Sequence, residues 1–429
     1  MAAVQAALAA FVGLVFEALK ALGAVLGFLA ALVLVFGILR SILSVTLGRA
    51  TLILPFRGEE QLQLGKVSGL SVSALLAQQL EEVETTWRDL ARNIEVERVG
   101  HVYDSSLELV DIADCRITEE AGKGAGNIVV PDPTDGQALG TISFGAATFS
   151  PQSIIATLDL ARSKLARRTI RGDLEQFGET LRLSASYDTW GKRLTQTVVT
   201  RDVQDYRQFL VLLNDVAFQL AKQRLGFHSD AQTWNGYRTF LEGYVHHVRY
   251  IRTGNTHEQE EAIGSCQQAV EYEPGFHLAR YNLGNLLYNR YTAADNAAAI
   301  EHLRQASLTP RRLLKALALS VYARACCQQI HRYGQGEEPW LHLALDASAE
   351  AVHLRPKLDE AWLSRGFALQ FKGEFPLALE SYQRAVALAS NPVGGLLLNS
   401  MASPQDWGPA APVHRFQPCG EPAGQVHRL

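Results

Sequence analysis

Residues 361–388 read AWLSRGFALQFKGEFPLALESYQRAVAL, and their spacing decides the fold of the C-terminal half. Trp362, Gly366, Ala378, Tyr382 and Ala385 recur at intervals that suit two packed helices. Small residues are needed where two helices approach to roughly 8–10 Å, and large ones fill the gap beside them. One such hairpin cannot bury its apolar face alone, so it implies neighbours of the same kind.

The neighbours lie upstream. AVEYEP (269–274), ASLTP (306–310), AVHLRP (351–356) and AVALASNP (385–392) end alike, with Pro274, Pro310, Pro356 and Pro392 standing 36, 46 and 36 residues apart. That period marks a helical solenoid. The opening stretch resembles the tetratricopeptide repeat family: Trp362 and Gly366 match its first helix, and Ala378, Tyr382 and Ala385 its second. Leu283, Gly284, Ala299, Leu303 and Ala306 carry the likeness in a second unit, Ala344, Ser348 and Ala351 in a third, and Ala262, Cys266 and Ala269 in the first.

The resemblance implies about four hairpins over 233–390, with first helices lining a concave face that binds a protein or peptide. It makes Tyr281, Asn285, Tyr288 and Asn289 candidates for that face, and their spacing independently puts them on one helical stripe. Leu363, Phe367, Gln370 and Phe371 hold the matching stripe in the last unit, and Phe240, Tyr244 and His247 extend it in the first. An aromatic and amide groove suits an extended or helical peptide. The competing reading is that these rings pack inside the solenoid. The basic pattern that would grip a C-terminal carboxylate is missing.

Residues 50–225 alternate strand and helix signals. TLILPF (51–56) and TISFGAATF (141–149) read as strands, and 71–94 and 151–166 as helices. In TLRLSASYD, Leu181, Leu183, Ala185 and Tyr187 alternate with Arg182, Ser184, Ser186 and Asp188, which predicts a strand with one face buried. TIRG and TQTVVT make a meander with it, and 202–225 reads as a helix with Phe209, Leu210, Leu212, Leu213, Val216, Ala217 and Leu220 on its apolar face. Pro55-Phe56, Gly172, Gly178 and the Leu181–Tyr187 strand resemble the TolB amino-terminal-like domain. That resemblance implies a non-catalytic binding fold placed before helical repeats in bacterial regulatory proteins.

At the N-terminus, Ala21–Leu39 runs without a charge. At a rise of about 1.5 Å per residue it spans about 28 Å, close to a bilayer's hydrocarbon core. The reading is a membrane anchor over 1–49, in contact with lipid at 21–39; a cleaved signal and a buried soluble helix are the competing readings. Arg40, Arg49 and Arg57 follow the span and only Lys20 precedes it, which places the rest in the cytoplasm. Gly23 and Gly27 form a G-x-x-x-G that suits self-association, although glycine is common in such spans anyway.

A net charge of −4 gives no pull toward nucleic acid. The five cysteines, among them adjacent Cys326 and Cys327, lack disulfide or metal spacing. GKGAGN (122–127) departs from a phosphate loop because Lys123 precedes the other glycines. His101, Asp104, Glu108, Asp111 and Asp114 match no metal or acid–base spacing, and adjacent His246 and His247 diverge on a helix. No catalytic, cofactor or metal set is expected. The expected fold class is multidomain: an N-terminal transmembrane helix, a mixed α/β domain (50–225), an all-α tetratricopeptide-type solenoid (233–390) and a disordered tail (391–429). The expected function is a membrane-anchored adaptor of the bacterial inner membrane that binds protein partners. A ligand-responsive signalling or effector subunit, or an envelope assembly factor, stands as the alternative.

Overall fold

The computed structural model of the chain describes Phe36 and residues 51–54, 56–58, 72–98, 128–129, 142–144, 147–149, 168–178, 180–189, 192–227, 229–333 and 337–388. They fall into two compact units: residues 1–77 with 123–208, and residues 78–122 with 209–429.

The first unit holds a five-stranded sheet. Its β1 (Thr51–Ile53) lies parallel to β2 (Ile128–Val129) on one side and to β5 (Arg168–Phe177) on the other. From β5 the sheet continues as an antiparallel meander through β6 (Thr180–Thr189) and β7 (Lys192–Asp202). On β6 Leu181, Leu183, Ala185 and Tyr187 are all buried, as is the whole of β1. The other face of β6 is open only at Arg182 and in part at Ser184, because Ser186 and Asp188 are buried as well. TISFGAATF is a separate two-stranded hairpin, β3 (Ile142–Phe144) with β4 (Ala147–Phe149), in place of one strand.

The second unit begins with α1 (Val72–Arg98) beyond Ala77 and α2 (Tyr206–Leu225) from Phe209 onward. Asp205 starts α2 by accepting the Gln208 N–H, which is why the helix begins after the Asp202 end of β7. Leu80, Val83, Trp87, Ala91 and Ile94 form the buried row of α1. Within that row sits Glu84, whose carboxylate accepts from Arg224 Nε of α2 at 2.6 Å with both side chains nearly sealed from solvent. Arg88 gives the same carboxylate a second partner at 3.1 Å.

Four helical hairpins follow: α3 (Trp234–Thr253) with α4 (Thr256–Tyr272), α5 (His277–Tyr288) with α6 (Ala293–Ala306), α7 (Arg312–Tyr333) with α8 (Glu337–Leu354), and α9 (Asp359–Phe371) with α10 (Phe375–Leu388). Glycine sets the approach inside three of them. A Cβ on Gly366 would lie 2.7 Å from the Tyr382 ring, one on Gly284 2.6 Å from Leu303, and one on Gly243 2.7 Å from Ser265. The second helices answer with buried Ala262, Ala299, Ala344 and Ala378. Tyr382 also closes the last hairpin by donating its hydroxyl to Gln370 Oε1 at 2.7 Å.

Two expectations are corrected. The described structure is mostly helical with a small sheet, and no described helix is long and apolar enough to cross a membrane. The expected span at 21–39 lies, Phe36 apart, outside the described residues. Neither a transmembrane helix in the fold class nor a single-pass inner-membrane location is therefore retained. Within the region 50–225, α2 from Phe209 and most of α1 group with the helical unit. The Glu84–Arg224 pair and the apolar row beside it draw both helices there. The expected helix at 151–166, the loop GKGAGN, the His101–Asp114 stretch and the tail from 391 lie outside the described residues.

The glycine contacts make a paired test. Gly366→Ala drives a Cβ into the Tyr382 ring and should cost about 1–3 kcal/mol. Gly264→Ala, on α4 where nothing lies within 4 Å, should gain up to about 1 kcal/mol of helix propensity. Urea denaturation of both variants measures this, and equal effects would mean that the hairpin is not set by that approach.

Candidate docking face

The first helices of the hairpins are α3, α5, α7 and α9. On α3 the expected stripe is inside the fold, with Phe240, Tyr244 and His247 all buried. Phe240 meets Phe276 edge-on at 5.2 Å and Tyr244 at 6.0 Å, and Tyr244 stands perpendicular to His247 at 6.1 Å. The His247 imidazole is hydrogen-bonded with the Asn282 side chain of α5, and its Nδ1 has no hydrogen-bond partner. Burial pushes the imidazole down to about 4, partly offset by the Asn282 bond.

On α5, Tyr281 is buried, whereas Asn285, Tyr288 and the C-cap Asn289 are half-buried. On α9, Phe367 is buried and Phe371 half-buried, their rings 5.4 Å apart. The other two expected residues there turn toward their own hairpin. Leu363 packs against the Leu369, Ala378 and Tyr382 cluster, and Gln370 accepts the Tyr382 hydroxyl.

Sequence reasoning passed over α7, which supplies the residue that joins these stripes. Arg324 lies over the Tyr288 ring of α5 at 5.9 Å, and its Nη1 is 2.9 Å from Glu360 Oε2 in the first turn of α9. Both charged side chains are largely but not fully covered, at 18% and 17% exposure. Gln328 follows Arg324 by four residues, so the two share a face of α7. Glu360, Phe367 and Phe371, at i, i+7 and i+11, share a face of α9 in the same way. One signal was available: Arg324 is the sole charge between Lys315 and His331, set in the apolar run ALALSVYARACCQQI. A lone arginine in such a run requires a specific anion or ring beside it.

Of the groups singled out for other chemistry, the adjacent histidines and three cysteines lie among the described residues. His246 Nδ1 lies 2.7 Å from Glu258 Oε2, pointing away from buried His247. Cys266, Cys326 and Cys327 are buried free thiols, and burial pushes Cys266 and Cys326 up to about 12 and Cys327 higher still. Among the described residues no group of three or more His, Cys, Asp and Glu side chains is placed to hold a metal ion. Set against known proteins, the chain matches no family model and no curated protein.

Buried His247 gives the fold a pH signature. Its folded pKa is depressed, so on acidification the unfolded chain takes the proton first. The stabilisation is full above about 6.5 and is lost as pH falls through about 4, a swing on the order of 3 kcal/mol. Denaturation at pH 7.5 and 4.5 should show a larger loss for the wild type than for His247→Gln. Equal losses would remove His247 as the source.

Proposed function

We propose that the chain is a docking protein whose solenoid holds an extended segment of a protein partner along α5, α7 and α9. The observation that carries this reading is the set of half-buried Asn285, Tyr288, Asn289, Arg324 and Phe371 on those first helices. The glycine and alanine faces of the same hairpins are consumed by internal packing. The remaining side chains therefore supply ring faces, amides and one guanidinium where a peptide backbone and its side chains can be matched. The resemblance of residues 361–388 to tetratricopeptide repeats supports the same reading. The face begins at α5, since Phe240, Tyr244 and His247 of α3 are spent on the core.

A displayed random 12-residue peptide library, selected against the full chain, tests the proposal. Enriched peptides should bind the wild type and lose about tenfold in affinity, equivalent to about 1.4 kcal/mol, to an Asn285→Ala, Phe371→Ala double variant of unchanged Tm. Enriched peptides that bind both proteins alike, or no enrichment at all, would overturn it.

A further inference from the structure

Three hairpins turn through a residue of positive φ placed two positions before the second helix. In the first this is Gly254 at 66° ahead of Thr256, and in the fourth Gly373 at 82° ahead of Phe375. In the second it is Tyr291 at 57°, ahead of Ala293. Among the described residues Tyr291 is the one non-glycine residue with positive φ. Backbone geometry asks for glycine at that position, so a tyrosine there is held against a local cost. Its side chain is the gain that can offset that cost.

The ring lies 6.3 Å from the Tyr288 ring, beside which Arg324 and then Glu360 are arrayed. Two acceptor atoms on this face are buried without a hydrogen-bond donor: Gln328 Oε1 on α7 and Glu360 Oε2 on α9. Arg324 Nη1 comes within 2.9 Å of that Glu360 oxygen as an ion pair, without the alignment of a hydrogen bond. The face thus combines ring surfaces with one acceptor that has no donor, Gln328 Oε1, and a carboxylate held by a single ion pair. A guanidinium answers both needs, since it stacks on an aromatic ring and fans its N–H groups in one plane. An ionised carboxylate has roughly four lone-pair sites, so Arg324 can stay in place while Glu360 accepts from a second cation.

We propose that Tyr288, Tyr291, Gln328 and Glu360 receive an arginine side chain of the docked segment. This rests on the docking reading above and adds to it the chemistry of the guest.

The test uses the same displayed library and the full chain. Enriched peptides should share one arginine at a fixed position, and replacing it with citrulline, which keeps the shape and removes the charge, should weaken binding at least tenfold. Tyr291→Gly and Glu360→Gln should each weaken the arginine peptide about tenfold yet leave the citrulline peptide unchanged. Tyr291→Gly should also hold or raise Tm, because it relieves the turn; a merely structural tyrosine would lower Tm and affect both peptides alike. Enriched peptides without a fixed arginine, or with lysine in its place, overturn the guanidinium site and leave the docking face standing. So does equal loss for both peptides. A library that yields no binder removes both proposals together.

Discussion

The carboxylate of Glu273 holds together the point where the hairpins begin. It sits at the C-cap of α4 and accepts the backbone N–H groups of Gln232 at 2.8 Å and Thr233 at 3.0 Å, together with the Thr233 hydroxyl at 3.0 Å. Two more carboxylates act beside it. Asp215 of α2 accepts from Trp234 N at the start of α3, and Asp230 accepts from His277 N at the start of α5. The first turn of a helix leaves N–H groups without partners and carries the positive end of the helix dipole, so each anion is placed where it is worth most. Lys222 lies among them and donates to Ala231 O at 3.0 Å. Burial lowers its pKa while Glu273 and Asp230 pull it back up, and burial raises that of Asp230. The join is electrostatically costly, and it ties α2, α3, α4 and α5 together because the three anions draw their donors from the starts of different elements.

That join also fixes which rings are core. Alongside the carboxylates runs a chain of ring contacts, from Trp87 stacked on Phe227 at 4.9 Å, through Tyr237, to Phe240 and Phe276. These rings need a close neighbour on every side, and α1, α2 and α5 provide them. The aromatic stripe of α3 is therefore core. Further along, α5, α7 and α9 have fewer rings to bury, and Arg324 bridges them with one guanidinium set over one ring and beside one carboxylate. Asn285, Tyr288, Asn289 and Phe371 stay half-buried there.

Helical period and strand alternation were legible in the sequence because they depend only on local geometry. The buried face of β6, the apolar rows of α1 and α2, and the small residues facing across the hairpins all follow from spacing. Burial by a distant neighbour was not legible. Phe240, Tyr244 and His247 have the spacing of a groove stripe, and nothing in that spacing reveals the Phe276 ring or the Asn282 amide that covers them. The ownership of α2 depended on Glu84, which lies far away in sequence and meets Arg224 only in the fold. Tyr291 escaped for a different reason: a positive φ is announced by glycine, and this turn has none.

Tyr291 and Arg324 are the two places where local preference and the observed fold disagree. A left-handed tyrosine costs about 1–2 kcal/mol, a sizeable share of the 5–15 kcal/mol that holds a typical domain folded. The fold tolerates it because the surrounding turn is tied independently. Thr292 caps α6 through Asp295 N, and Arg290 spans from Asp295 to Glu260 of α4. Arg324 is similarly constrained from both sides, by Tyr288 and Glu360, in a stretch of α7 (Ala316–Cys327) otherwise built from small, apolar and aromatic residues. Packing alone would favour glycine at the first position and an apolar side chain at the second. Both exceptions fall on one ring-and-carboxylate cluster, in which Tyr291 lies beside Tyr288 and Arg324 ties Tyr288 to Glu360.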